Sequence, residues 1–577
     1  MRHKPRTDPE EGSAEPLLDN PQEIELDDMD LKDKNKDSDS LENAFSRDGN
    51  VSRSSEESQD SFSDRHAVLR EDTLSVFELI KAYPWALGWS LLVSMTVIME
   101  GYDLMLVGNF MAFPTFQKKY GRYYADIDQW QVSAPWMAGL QNAAGVGSFF
   151  GSFLSGWLVQ KFGKKSVLLW SLVALSAFVS LTFFAVNAAM LLVGEALCGI
   201  PWGIFATISP AYASEVLPRK LRVYLTSYTN MCFVIGQLIA SGVLAGLVHI
   251  DSEWSYRTPF ALQWVWPAFL IPTLFFAPES PYHLVQTDQY DKAGLVLKRL
   301  VRESANIDTE ATLRDIIHTN DVEKQLSAGT SFLDCFKGTE RRRTIIACVM
   351  FSGQCLSGSS FAYNSTYFFE QVGLEKQLIY NINLGGIGLA LVGCFASWFV
   401  VIPYFGRRTI YLWGLAIMAS ILLLIGILSV RGSEYAFGIA QTALTLLWTF
   451  FYQLTVGQLG WAIPAEIGST RLRQKTVCLA RNAYYIISVA SNVIEPFAMN
   501  PTQWNLKGKT SFIWFGTASL TLIWGYFYFP ETQGRSDLEI DLMFAAKLPA
   551  RKFKGYQVSV DKEETLATNS KDSGSPI

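Results

Sequence analysis

The sequence predicts an all-α membrane protein with twelve transmembrane helices in two six-helix bundles, and short cytoplasmic helices in the central loop. Three observations predict it. Of the 577 residues 49% are hydrophobic and 14% aromatic but only 18% charged, which excludes a secreted disulfide scaffold, a basic nucleic-acid binder and an ordinary soluble enzyme. Long apolar stretches recur from about Trp85 onward. Three short motifs repeat about half a chain apart.

The first element is a tail. Residues 1–70 hold 19 Asp/Glu against 10 Lys/Arg, whereas the rest of the chain sums to +3 although the whole is −6. Rich in Ser, Asp and Glu and poor in aromatics, this segment buries too little apolar surface to offset its ordering entropy, so 1–73 is expected to be a disordered acidic cytoplasmic tail. It does not read as a signal or transit peptide.

Twelve stretches follow that are long enough, at about 1.5 Å per residue, to cross roughly 30 Å of hydrocarbon. Their expected spans are 85–111, 133–159, 166–186, 189–211, 224–248, 260–277, 344–369, 377–403, 409–430, 435–463, 476–498 and 510–529. The domains are then an N-terminal bundle over 74–280, a cytoplasmic helical linker over 281–343, a C-terminal bundle over 344–540 and a cytoplasmic tail over 541–577. In the linker Ala293, Val296, Leu297 and Leu300 recur with helical spacing.

Lys and Arg are retained on the cytoplasmic side. The connections 160–165, 212–223, 281–343, 404–408 and 464–475 hold 21 of them, against about eight in the opposite loops. Both termini are therefore expected in the cytoplasm, of a multi-pass plasma-membrane protein.

The repeat joins Lys161-Phe162-Gly163-Lys164-Lys165 to Tyr404-Phe405-Gly406-Arg407-Arg408 at an offset of 243. It also joins the segments opening at Glu215 and Glu466, and the phrases Pro278-Glu279-Ser280 and Pro530-Glu531-Thr532, at offsets of 251 and 252. Matches at equivalent loop positions indicate two duplicated six-span halves around one pathway. Seven scattered cysteines have no metal-ligand spacing and read as free buried thiols.

These phrases, together with EGYDLMLVGNF (100–110), PESPYHLVQ (278–286), GQCLSGSSFAYNSTYFFE (353–370), WAIPAEIGSTRLRQK (461–475), LARNAYYI (479–486) and PETQGRS (530–536), carry a resemblance. The chain resembles the sugar porters of the major facilitator superfamily and looks most like fungal α-glucoside permeases of the maltose permease type. That resemblance implies the major facilitator fold, a transporter rather than an enzyme, and no cofactor. Its partners would be a sugar, protons and the lipid bilayer, with no nucleic acid, a monomeric state, and trafficking or ubiquitin machinery on the tails. The chain departs from the family pattern at Gln160, Lys164, Pro403 and Tyr404, and carries Glu195 where related hexose–proton symporters have an Arg.

Ionisable side chains inside hydrocarbon are costly and mark function. Glu100 and Asp103 share one face of the first span, and a carboxylate alternating between wet and dry surroundings can bind and release a proton. Glu195 follows Gly194 and precedes Gly199 and Gly203, small residues that permit close helix approach. Arg481 either pairs with a carboxylate at the cavity or snorkels to the interface. These four are the proton-coupling candidates, whereas Glu495 reads as interfacial.

Amides offer a donor and an acceptor to sugar hydroxyls, and aromatic faces cover pyranose C–H surfaces. The resemblance implies sugar-binding roles for Gln237, Gln354 and Trp461, and more loosely for Asn364, Asn383 and Asn482. It also implies cytoplasmic gate charges at Glu215, Arg219, Arg222, Glu466, Arg471 and Arg473, forming a salt-bridge network between the halves. The expected function is proton-coupled import of an α-glucoside, maltose or sucrose in type. A passive hexose facilitator and a non-transporting sugar sensor are the alternatives.

Overall fold

The computed structural model describes residues 76–125, 128–302, 307–327, 331–431, 435–469, 472–535 and 537–556. The expected tails at 1–73 and beyond 556, and Arg471, lie outside them. All described residues belong to one compact unit.

Every expected span has its helix. Span 1 is Pro84–Ser94 and Thr96–Phe110, span 2 Ala134–Phe162, span 3 Lys164–Phe183, span 4 Ala188–Val216 and span 5 Arg219–Leu247. Span 6 is split into Trp254–Leu262 and Val265–Phe275. Span 7 is split into Gly338–Leu356, Ser359–Tyr363 and Ser365–Val372, and span 8 runs Lys376–Ala396. Span 9 is Arg407–Arg431, span 10 Tyr435–Leu454 with Val456–Ile467, span 11 Arg473–Met499 and span 12 Ser511–Tyr528. Among the described residues eight helices are long and apolar enough to cross a membrane by length and composition. The other four spans are 2, 6, 10 and 12. Spans 6 and 10 are divided, and span 2 is interrupted by Gly, Ser, Gln and Asn.

Between spans 1 and 2 lies a short antiparallel hairpin, Arg122–Tyr124 with Gln129–Gln131. The helix before it is tied to the start of span 6, where the Lys119 ammonium reaches Glu253 at 3.0 Å and holds that carboxyl below the usual range. The linker forms the helices Pro281–Gln286, Tyr290–Leu300 and Thr309–Ser327. Ala293, Leu297 and Leu300 are buried, the face predicted from their spacing.

Span 2 packs on span 4 through glycines. A Cβ on Gly199 or Gly203 would lie 2.2 Å from the backbone oxygen of Ala144 or Ser148, so only glycine allows the two backbones to touch. Span 1 packs on span 5, and the two halves meet where span 2 faces span 11 and span 5 faces span 8.

At one end of the bundle the three repeated motifs converge in each half. Glu279 accepts backbone N–H bonds from Lys164 and Lys165, capping the N-terminus of span 3. Glu215 is held by the Lys164 ammonium and the Ser280 hydroxyl. In the second half Arg407 reaches Glu466 at 3.4 Å and Thr532 donates to it at 2.7 Å, while Glu531 lies against Gly406. Among the described residues these partners of the two glutamates lie within their own halves. Arg222 donates to the Leu217 carbonyl and contacts Tyr282, instead of pairing with Glu215. The reason is local: the start of span 3 or span 9 puts a cation next to the glutamate ending span 4 or span 10. Arg473 opens span 11, and Arg219 opens span 5.

Past span 12 the chain stays folded. Helix Asp537–Ala545 returns to the start of span 7, where Asp541 pairs with buried Arg343 at 2.5 Å and Phe544 lies under its guanidinium. Residues 541–548 of the expected C-terminal tail thus pack against the start of span 7.

Candidate functional site

Between the halves lies a cavity with two adjoining lobes that share Gln141, Tyr363, Tyr484 and Asn492 as walls. Broken helices shape it. Gly358, at φ +100°, interrupts span 7, and Asn364 separates its last two segments. Such interruptions leave polar backbone only where it lines protein or water.

The first lobe takes Glu100 from span 1, Gln354 from span 7, Trp461 from span 10 and Arg481 from span 11. Arg481 is 8% exposed and lays its guanidinium over the Trp461 ring, 4.5 Å from the centroid. It does not snorkel. Its charge acts across the cavity on Glu100, so a carboxylate of one half and a cation of the other share one space. Phe351 meets the Trp461 ring edge-on at 5.8 Å.

Gln354 accepts from the Tyr452 hydroxyl at 3.1 Å, and its Nε2 has no acceptor among the described residues. Gln237 is buried outside the cavity lining and lies against Tyr363, which contacts Tyr452 in turn. Asn364 lines the second lobe and accepts from Gln141 at 2.6 Å. The neighbouring Ser365 and Thr366 are buried with it.

Two expected amides fall elsewhere. Asn383 donates to Asn109 at 3.2 Å and to Ser241 at 3.3 Å. Asn109 also accepts from Thr366 at its side chain and from Tyr380, at 3.0 Å, at its carbonyl. This knot joins span 1 to spans 7 and 8 at the end opposite the repeated motifs. Asn482 contacts Ser152 at 3.5 Å and Cys478.

Asp103 borders the second lobe, 1% exposed, and Gln263 from the break in span 6 donates to its Oδ1 at 2.5 Å. Glu195 is fully buried against it. Glu495 is buried too, at 1% exposure, where Trp514 donates to it. Its position near the outer end of span 11 pointed to the interface, but the Trp514 side chain of span 12 reaches it inside the protein.

Residue-by-residue reading missed Gln141, Asn142, Ser488 and Asn492. All line the cavity. Their signal was present: Arg481, Tyr485, Ser488 and Asn492 recur at helical spacing, and the paired amides 141–142 interrupt an apolar span. Gln141 Oε1, Asn142 Oδ1, Gln354 Nε2 and Glu100 Oε2 have no hydrogen-bond partner among the described residues. Acceptors from one half and a donor from the other are what a hydroxylated ligand between the halves would use.

A family model described as "Sugar (and other) transporter" matches residues 89–544. The chain belongs to this sugar transporter family. It is 38% identical over 494 residues to the maltose permease MAL31 of Saccharomyces cerevisiae, covering 85% of this chain and 80% of that one. With the general alpha-glucoside permease of the same yeast the identity is 36%, over 84% and 79% of the two chains. The sugar porter is similar in fold to the proton:xylose symporter XylE bound to 6-bromo-6-deoxy-D-glucose, with a TM-score of 0.67 at 17% identity over 80% of this chain and 99% of that one. An inward open form of the E. coli xylose transporter XylE matches with a TM-score of 0.61 at 19% identity, over 80% and 100% of the two chains. The sugar porter is thus an all-α, membrane-spanning transporter and not an enzyme.

Proposed function

We propose that this sugar porter imports an α-glucoside of the maltose or sucrose type across the plasma membrane, driven by co-transported protons. The observation that carries the reading is the composition of the cavity. Amides and aromatic rings from both halves surround a space that also holds Glu100 and Arg481. Amides and rings suit a sugar, and a carboxylate facing a cation across the gap changes its charge balance when the halves rock. The relatives named as maltose and alpha-glucoside permeases support the substrate class.

The Lys/Arg-rich loops and the repeated motifs belong to the cytoplasmic end in this reading, with both termini there. The Asn109 knot then closes the outer end. Labelled maltose, sucrose, trehalose, glucose and lactose should be compared at two pH values in proteoliposomes, with and without a protonophore. The proposal expects accumulation of an α-glucoside that collapses when the proton gradient does. Accumulation that survives would reject the proton, and preference for glucose would reject the substrate class.

A further inference from the structure

Glu195 is 0% exposed on span 4, and neither of its oxygens receives a hydrogen bond from any described N–H or O–H donor. It contacts Asp103 of span 1, carboxyl to carboxyl. Asp103 in turn accepts from Gln263 at Oδ1, while its Oδ2 has no other donor. Around the pair stand Cys198 one turn along span 4, Glu100 one turn back on span 1, and Tyr363 and Tyr484 across the second lobe. Arg481 acts on Glu100 rather than on the pair. Cys232 of span 5 packs instead against Val97 and Ile98, below the pair.

Two carboxylates in contact, without a cation, do not both ionise in a buried site. One proton must lie between them, as an O–H of one donating to an oxygen of the other. The Gln263 amide chooses the arrangement. Its N–H donates to Asp103 Oδ1, which favours charge on Asp103 and leaves the proton on Glu195. Asp103 borders the cavity and Glu195 does not. A second proton therefore arrives from the cavity, forming an O–H bond at Asp103 Oδ2 and taking the pair from net −1 to neutral. It leaves by the same atom.

We propose that Asp103 and Glu195 form one proton-carrying site, with Asp103 as the atom of entry and exit and Glu195 as the partner that holds a resident proton. The inference rests on the proton-coupled reading above. The chemistry differs from a carboxylate–guanidinium switch, because the pair loads toward neutrality instead of breaking an ion pair.

Full-length wild type, Glu195→Gln and Asp103→Asn should be compared in proteoliposomes with maltose as the probe. Proton-driven accumulation and maltose counterflow, which needs no net proton movement, are read for each. In Glu195→Gln an amide N–H replaces the resident O–H and is a weaker donor to the Asp103 carboxylate, so Asp103 gives up its proton less readily than in the pair. Accumulation at pH 7 should fall about tenfold as proton release slows, and the pH profile should move toward alkaline pH by at least about one unit, while counterflow persists. Asp103→Asn should lose accumulation at every pH. Wild-type accumulation and pH profile in Glu195→Gln would overturn the site. So would loss of both activities that Glu195→Asp fails to restore, since Glu195 would then be structural. If wild type itself accumulates maltose without a proton gradient, the broader reading fails instead, whatever Glu195→Gln does.

Discussion

Gln141 of span 2 donates its amide to Asn364 of span 7 at 2.6 Å, joining the two halves at the cavity wall. The bond also orients Gln141, so that Oε1 stays without a protein partner at the cavity. Asn364→Ala should release it. A lost orienting hydrogen bond is worth about 1 kcal/mol, so the apparent sugar KM should rise about fivefold in transport assays while protein yield is unchanged.

Arg481 combines charge with a planar face over Trp461, and Lys supplies only the charge. Arg481→Lys should weaken sugar binding by about 0.5–2 kcal/mol, the range of a cation–π contact. Tryptophan-quench titration in detergent reads this directly. Unchanged binding would show that the ring needs no guanidinium to hold its place.

Asn109 receives Thr366 and Asn383 from the other half. Asn109→Ala leaves the buried Thr366 hydroxyl unpaired and Asn383 with Ser241, at a cost of about 1–3 kcal/mol that applies only while this end is closed. A cysteine placed at Leu104, on the cavity wall, should then label faster with an impermeant maleimide added outside. Equal labelling in both backgrounds would remove Asn109 as a closure element.

Glycines on span 2 differ by what lies opposite. A Cβ on Gly151 would fall 2.1 Å from the Ile200 oxygen, whereas one on Gly156 meets nothing within 4 Å. Gly151→Ala should lower the thermal midpoint or abolish monodisperse protein, and Gly156→Ala should do neither. Fluorescence-detected size-exclusion on the pair checks the span 2–span 4 contact.

Glu215 and Glu466 sit in equivalent clusters, each with described partners from its own half. Each Glu→Gln substitution should destabilise by a similar amount, of order 1 kcal/mol for a half-buried pair. The double variant should equal the sum within about 0.5 kcal/mol. A strongly non-additive result in thermal unfolding would mean that the clusters communicate between halves, as the resemblance implied for these charges.

Much of this molecule was legible in its chain. Spans were readable because hydrocarbon demands long apolar helices, and the repeat was readable because duplicated loops keep their charges in the same order. The same intolerance of hydrocarbon for charge singled out Glu100, Asp103, Glu195 and Arg481. Partners were a different matter. The resemblance put Glu215 with Arg219 and Arg222 in a network between the halves, yet Lys164 and Ser280 of its own half reach it from segments about 50 and 65 positions away. Gln237 and Asn383 were readable as buried amides, but nothing local distinguished an amide at the cavity from one holding Tyr363 or closing an end.

The sequence by itself determined the number of spans, the duplication, the charge sidedness and the few polar groups committed to the interior. These follow from composition and period, which solvent imposes on each segment separately. Only the tertiary structure decided that Asp103 meets Glu195 and Gln263, that Glu100 shares a cavity with Arg481, and that residues 541–556 fold back on span 7. Those contacts join segments 90 to 380 positions apart, and helix packing sets them through shapes, such as the glycine seam of spans 2 and 4, that no single segment encodes.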